Sequence, residues 1–135
     1  MKGNKILFVD DEPWGHESLR YALESQGYEC VTATDMSSAL RALGVQDFSV
    51  IVTDIMMPGG ADYPNIDSQE VGFHFVEIVR ERWPRTPVIC LSVIGDQIKI
   101  RGLKRKRVGY LRKGEVPLST AVDVISRAAS GGYSY

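Results

Sequence analysis

The chain has 135 residues, 44% of them hydrophobic and 24% charged, a composition too apolar for the disordered class and a length suited to one hydrophobic core. Sixteen Lys and Arg face 17 Asp and Glu for a net charge of -1, which excludes a globally basic nucleic-acid coat protein and leaves any charge recognition to local patches. Cys30 and Cys90 are too few for a disulfide framework and wrongly spaced for a metal knuckle. No apolar run reaches membrane-spanning length, and the N-terminus lacks a signal-peptide pattern, so the expectation is a single cytoplasmic domain over 1–135, with a core at about 4–130 and no membrane association.

Five apolar runs of strand length recur along the chain, at 6–9, 31–33, 50–52, 88–91 and 108–111. The first, third and fourth are almost unbroken Ile, Leu, Phe and Val, as expected where helices cover both faces of a parallel sheet. Helical spacing fills the intervals. Pro13 opens a first helix that carries Leu19, Ala22 and Leu23 on one face and ends at Gly27. Thr34 or Asp35 caps a second helix whose Met36, Ala39, Leu40 and Leu43 fall on one stripe. A third helix is expected from about 68 to 83, with Asp67 and Glu70 spaced as a capping box, Val71, Phe75 and Ile78 inward, and Pro84 as its stop. The fourth, near 96–106, has a ragged stripe of Ile98, Ile100 and Leu103 interrupted by Gly102. The fifth, near 117–129, aligns Ala121, Val122, Ile125 and Ala128.

Five successive βα units predict an α/β fold, a doubly wound five-stranded parallel sheet whose functional groups gather beyond the carboxyl ends of the strands. Those ends supply Asp10, Asp11 and Glu12 after the first strand, Asp54 after the third, Ser92 after the fourth and Lys113 after the fifth. Carboxylates held together repel, and a hard cation with oxygen ligands relieves them; Mg²⁺, which keeps waters and completes its shell with phosphate oxygens, suits this set. The chemistry this predicts is phosphoryl transfer. Asp54 is the nucleophile that becomes an acyl phosphate, Lys113 neutralises the transferred group, and the Ser92 hydroxyl holds one of its oxygens.

The run Ile6-Leu7-Phe8-Val9-Asp10-Asp11-Glu12, the segment Val52-Thr53-Asp54-Ile55-Met56-Met57-Pro58-Gly59, the pair Leu91-Ser92 and the stretch Gly109-Tyr110-Leu111-Arg112-Lys113 resemble the receiver domains of two-component response regulators, the CheY-like family, over essentially the whole chain. That resemblance implies the flavodoxin-like strand order 2-1-3-4-5. It also implies phosphorylation of Asp54 by a sensor histidine kinase or a histidine phosphotransfer protein. Mg²⁺ is expected directly on Asp11, Asp54 and the carbonyl of Met56, and on Asp10 mainly through water. Ser92 stands at the switch hydroxyl and Tyr110 at the aromatic that reports phosphorylation at the sheet edge.

Three departures from the family pattern stand out. The segment 56–68 is about eight residues longer than the usual connection, and either overhangs the pocket or is a surface insertion. Gly114 replaces a proline that the family usually holds in cis, so a trans bond is expected there. Met56, Val93 and Ile94 place apolar groups along the route to the phosphoryl site, where a water-orienting side chain would speed hydrolysis.

Residues 97–113 carry eight cations and no acid, a basic face expected to dock an acidic output protein or output domain rather than nucleic acid directly. His16 and His74 read as structural or exposed, Trp14 as a cover on the acidic cluster, and Trp83 as a packing residue. A haloacid-dehalogenase-like phosphatase would need a second acid where Met56 stands. A flavodoxin-type carrier would not place acids where a flavin phosphate binds. The remaining rival is a degenerate receiver that docks a partner without being phosphorylated.

Overall fold

In the computed structural model, which describes residues 4–12, 16–93 and 97–132, five strands and five helices alternate as the sequence predicts. They are β1 (Lys5–Val9), α1 (Glu17–Ser25), β2 (Glu29–Ala33), α2 (Met36–Val45), β3 (Val50–Thr53), α3 (Val71–Arg82), β4 (Val88–Ser92), α4 (Gln97–Arg105), β5 (Val108–Arg112) and α5 (Leu118–Ser130). All strand pairs are parallel and the sheet order is β2-β1-β3-β4-β5. Strand order reverses between β1 and β3, which is where a doubly wound sheet opens a crevice for chemistry.

Alternation along the central strands divides the interior in two. Leu7, Val9, Ile51, Val88 and Cys90 pack with α2 and α3 on one face, while Ile6, Phe8, Val50, Val52 and Ile89 pack with α1 and α5 on the other. β1, β3 and β4 are therefore dry on both sides, the arrangement that their unbroken apolar runs announce.

The helix ends follow local chemistry. Asp35 caps α2 by accepting from the Ser38 amide at 2.7 Å, with Ser38 reciprocating toward the Asp35 amide. Gly27, at φ +97°, takes the left-handed position after α1. The capping box expected from Asp67 and Glu70 does not form, because α3 starts at Val71 and Glu70 makes no side-chain cap. Asp67 instead accepts from the Gln69 amide at 3.0 Å, so residues 68–70 turn before the helix begins. On α4 the apolar stripe narrows to Ile100 and Leu103, and Ile98 is 78% exposed. Pro13, Trp14, Ile94 and Asp96 lie outside the described residues.

The long connection between β3 and α3 turns away from the strand ends and docks on α2. Pro58 and Gly59 carbonyls accept from the Met36 and Ser37 amides at 3.2 and 3.0 Å, and so satisfy helix-terminal donors that would otherwise lack partners. The Ser37 hydroxyl donates to Gly59 at 2.8 Å and accepts from the Asp62 amide at 3.1 Å. Tyr63 and Ile66 pack on the α2–α3 core cluster. The segment is thus a structured surface insertion with its own apolar anchors.

Gly72, in the first turn of α3, donates its amide to the Ile55 carbonyl at 2.8 Å, and a β-carbon there would collide with the Ile55 α-carbon and sit 2.7 Å from the Asp54 carbonyl oxygen. This close approach fixes the backbone just after Asp54. Gly72→Ala is expected to cost about 1–3 kcal/mol in urea unfolding. Gly102→Ala, where nothing lies within 4 Å of the added carbon, is expected to stabilise by about 0.5–1 kcal/mol. Equal effects at the two positions would show that the Gly72 contact does not constrain the site.

Candidate functional site at the carboxyl ends of the strands

Backbone pairing extends one residue past β1, β3 and β5 and carries the polar side chains with it. The Asp10 amide donates to Ala33 at 3.0 Å, the Asp54 amide to Val9 at 2.9 Å, and the Lys113 amide to Ser92 at 2.9 Å. Asp10 and Asp54 therefore end adjacent strands, at the point of order reversal. Lys113 reaches them from across β4.

The Lys113 Nζ donates to Asp10 Oδ2 at 2.7 Å and to Asp54 Oδ2 at 2.8 Å, with side chains only 24%, 4% and 11% exposed respectively. Burial works against the Lys113 charge, yet the two carboxylates prevail and its pKa stands above the ordinary lysine value. The other oxygens are also placed by backbone. Asp10 Oδ1 accepts from the Glu12 amide at 2.9 Å, and Asp54 Oδ1 accepts from Ile55 at 2.7 Å and from Met56 at 3.3 Å. Asp54 thus presents a carboxylate whose orientation is set by two amides on one side and an ammonium on the other.

Asp11 is exposed, and its carboxyl pKa is raised by partial burial first and then by Asp10, with Glu12 and Asp54 adding to the repulsion. Among the described residues no three acidic, histidine or cysteine side chains are gathered in a metal-binding group, and the ammonium of Lys113 pairs with both Asp10 and Asp54. The donor chemistry is nonetheless all oxygen, and a cation there would compete with Lys113 for the same carboxylates. Ser92 is fully buried at the end of β4, and the Tyr110 hydroxyl donates to its carbonyl at 3.3 Å, so the Tyr110 ring lies against the β4–β5 edge. No peptide bond among the described residues is cis, in line with the expectation for Lys113–Gly114, and Gly114 takes φ +81°.

The basic face is narrower than the sequence implies. Lys99 pairs with Glu70, just before α3, at 2.9 Å and Lys106 with Glu77 of α3 at 2.7 Å. Arg112 lies 3.6 Å from Glu115, and Lys113 turns into the site. Arg101, Lys104, Arg105 and Arg107 are exposed without an acidic partner within ion-pair distance among the described residues. Trp83 packs on the core as expected. His16 is buried against Phe8, with ring centroids 4.7 Å apart, a position readable only from its i, i+3, i+7 spacing with Leu19 and Leu23.

The family model for the response regulator receiver domain matches residues 6–122. Among curated proteins, the chain is 27% identical over 128 residues to the response regulator protein FleR of Pseudomonas aeruginosa, covering 94% of this chain and 25% of that protein. It is 31% identical over 112 residues to the phosphate regulon transcriptional regulatory protein PhoB of Escherichia coli, covering 81% and 44%. The chain therefore spans less than half the length of these relatives. Among solved structures, the chemotaxis response regulator CheY4 of Vibrio cholerae superposes with a TM-score of 0.74 at 27% identity, over 93% of this chain and 98% of that one. The beryllofluoride-activated NtrC4 receiver domain dimer gives 0.80 at 25% identity, over 96% and 98%. With the strand order, the matched residues and these likenesses in agreement, the chain belongs to the response regulator receiver domains, the CheY-like signalling modules of two-component systems.

Proposed function

We propose that this domain is a phosphorylation switch in which Asp54 accepts a phosphoryl group from a histidine kinase or a histidine phosphotransfer protein. The observation that carries the reading is the Lys113 ammonium held at 2.7 and 2.8 Å between Asp10 and Asp54. In the transfer, a carboxylate oxygen of Asp54 bonds to phosphorus as the bond from phosphorus to the donor's imidazole nitrogen breaks, and the nitrogen keeps the electron pair. The chain's residues orient the nucleophile through the Ile55 and Met56 amides and neutralise developing charge through Lys113. The buried Ser92 hydroxyl is the group that would follow the new phosphoryl oxygens, and Tyr110, tied to the Ser92 carbonyl, would transmit that movement to the sheet edge.

The all-oxygen donor set would suit Mg²⁺ beside Lys113; Asp11, Asp54 and the Met56 carbonyl would hold it, with Asp10 reached through water, and it would supply charge neutralisation for the phosphoryl oxygens. Met56, 39% exposed, cannot orient a hydrolytic water, which supports slow loss of the phosphoryl group. The exposed cations Arg101, Lys104, Arg105 and Arg107 are the surface proposed for an acidic output partner.

Incubation with Mg²⁺ and a small acyl phosphate, or with a phosphorylated histidine phosphotransfer protein, is expected to add one base-labile phosphoryl group, measured by intact mass. Asp54→Asn is expected to abolish the addition. Phosphorylation that persists in Asp54→Asn would show that Asp54 is not the acceptor, and none from either donor would leave the phosphorylation-independent docking module standing instead.

Because partial burial and then neighbouring like charges disfavour the Asp11 carboxylate, Asp11→Asn is expected to raise the melting midpoint at neutral pH without metal, and to blunt the stabilisation expected from millimolar Mg²⁺ in the unaltered chain. The raised carboxyl fixes the sign. Its stabilising contribution is complete below the ordinary aspartate range and lost as pH climbs through the folded value, so the benefit of Asn should vanish in acid. A midpoint indifferent to both Mg²⁺ and Asp11→Asn would exclude a cation site here.

A further inference from the structure

A second recess lies at the opposite edge of the sheet from the acidic pair. All five strands run parallel, so Arg85, shortly before β4, and Arg107, immediately before β5, stand at strand starts, whereas Asp10, Asp54 and Lys113 follow strand ends. The five residues of β4 separate the two edges by about 16 Å. The recess has a volume of about 220 Å³, and the described residues that line it are Arg80, Pro84, Arg85, Thr86, Pro87 and Arg107. Half of that lining carries a guanidinium, and none of it is acidic.

Arg80 holds the two sides of the recess together. Its guanidinium donates through Nε to the Lys106 carbonyl at 2.9 Å, through Nη1 to the Thr86 carbonyl at 2.8 Å and through Nη2 to the Arg107 carbonyl at 3.3 Å. The turn before β4 and the turn before β5 are thus tied to one side chain. The backbone from which Arg85 and Arg107 extend is therefore fixed before any ligand arrives, which lowers the ordering cost of binding. Arg85 and Arg107 are themselves exposed, and among the described residues neither has an acid within ion-pair distance.

Arg107 is also placed at a cost to the fold. It takes φ +62°, the only positive φ outside glycine among the described residues, and its amide closes the end of α4 on the Lys104 carbonyl at 3.0 Å. Glycine adopts that left-handed conformation without the steric penalty of a side chain. A use for the Arg107 charge beside Arg85 accounts for a strained residue where glycine would serve the turn better.

The lining sets the chemistry of the occupant. Guanidinium groups gathered in one recess repel one another, and an anion relieves them. A carboxylate brings one charge, whereas phosphate oxygens match the fork of each guanidinium and bring more. One phosphate monoester, at about -1.5 to -2 near neutral pH, falls short of three guanidiniums, and a diphosphate meets them more closely. The volume is below the roughly 300 Å³ at which sites for drug-sized molecules begin, which suits a compact ion.

We propose that this recess binds a diphosphate group, free or at the end of a larger molecule, with Arg85 and Arg107 as its paired ligands and Arg80 as the brace that holds their backbone. The site stands on its own geometry, whether or not Asp54 is phosphorylated.

Pyrophosphate is the probe, in metal-free buffer so that no cation at the acidic pair recruits it, and at constant physiological ionic strength. The full chain is titrated while backbone amides are followed by NMR. The amides of Thr86 and Arg107 are expected to shift saturably, and those of Asp54 and Lys113 to stay in place. By calorimetry, Arg85→Gln and Arg107→Gly are each expected to weaken binding by about ten-fold or more. Arg107→Gly should nonetheless melt no lower than the unaltered chain, because glycine relieves the left-handed backbone, so its weaker binding is not a folding defect. Lys104→Gln, which removes an exposed cation outside the recess, should change binding by less than about two-fold. ADP that binds as tightly as pyrophosphate assigns a diphosphate carried on an organic body, and weaker ADP binding assigns the free ion. No saturable shift with millimolar pyrophosphate, or a loss in Lys104→Gln as large as in Arg85→Gln, would overturn the proposal and leave a solvated basic edge.

Discussion

Two carboxylates brought to neighbouring strand ends and largely withdrawn from water must be neutralised, and in this fold the neutralising group is the ammonium of Lys113, 2.7 Å from Asp10 and 2.8 Å from Asp54. Asp10 is 3% exposed, and an uncompensated charge so buried would be strongly unfavourable. The requirement reaches far along the chain, since Lys113 is 103 residues from Asp10 and 59 from Asp54. The sheet must therefore bring β5 into register with β1 and β3 before the charges can meet. The register that does so is the same alternation that buries Leu7 and Val9 on one face and Ile6 and Phe8 on the other, so the site and the core are set by one constraint.

Around that constraint the polar groups are held mainly by backbone. The amides of Ile55, Met56 and Glu12 orient the carboxylates, and the close approach of Gly72 to Ile55 fixes the turn that carries two of those amides. The long β3–α3 connection contributes by anchoring elsewhere. Its Pro58 and Gly59 carbonyls accept from the first amides of α2, which ties the segment to that helix. Charges on α4 divide in the same economical way. Lys99 on α4 and Lys106 just after it pair with Glu70 at the start of α3 and Glu77 on it, while Arg101, Lys104, Arg105 and Arg107 stay exposed.

Much of this was legible in the residues. Doubly buried strands betray themselves as unbroken aliphatic runs, and the acids, the serine and the lysine stand immediately after those runs, so both the fold and the residues at its carboxyl edge follow from position alone. Features that depend on contacts distant in sequence were not legible. Asp67 and Glu70 have capping-box spacing, but the turn at 68–70 is held by the Met57 amide on the Ser68 carbonyl, which delays α3 to Val71. The absence of acids from 97–113 suggests a continuous basic face, yet Glu70, just before α3, and Glu77, on it, neutralise part of it. His16 reads as either structural or exposed until the packing of α1 places it, buried, on Phe8, with no hydrogen-bond partner for its nitrogens among the described residues.

The account rests on Lys113 offsetting two buried negative charges, and the most direct measurement is a double-mutant cycle in urea without metal. Lys113→Met is expected to destabilise by about 3 kcal/mol, because it strands Asp10 and Asp54 together. Adding Asp54→Asn, which removes one of the stranded charges, should restore most of that loss. If Lys113→Met unfolds at the same urea concentration as the unaltered chain, or if the double variant is no more stable than Lys113→Met alone, the bridging ammonium is not what holds this site together.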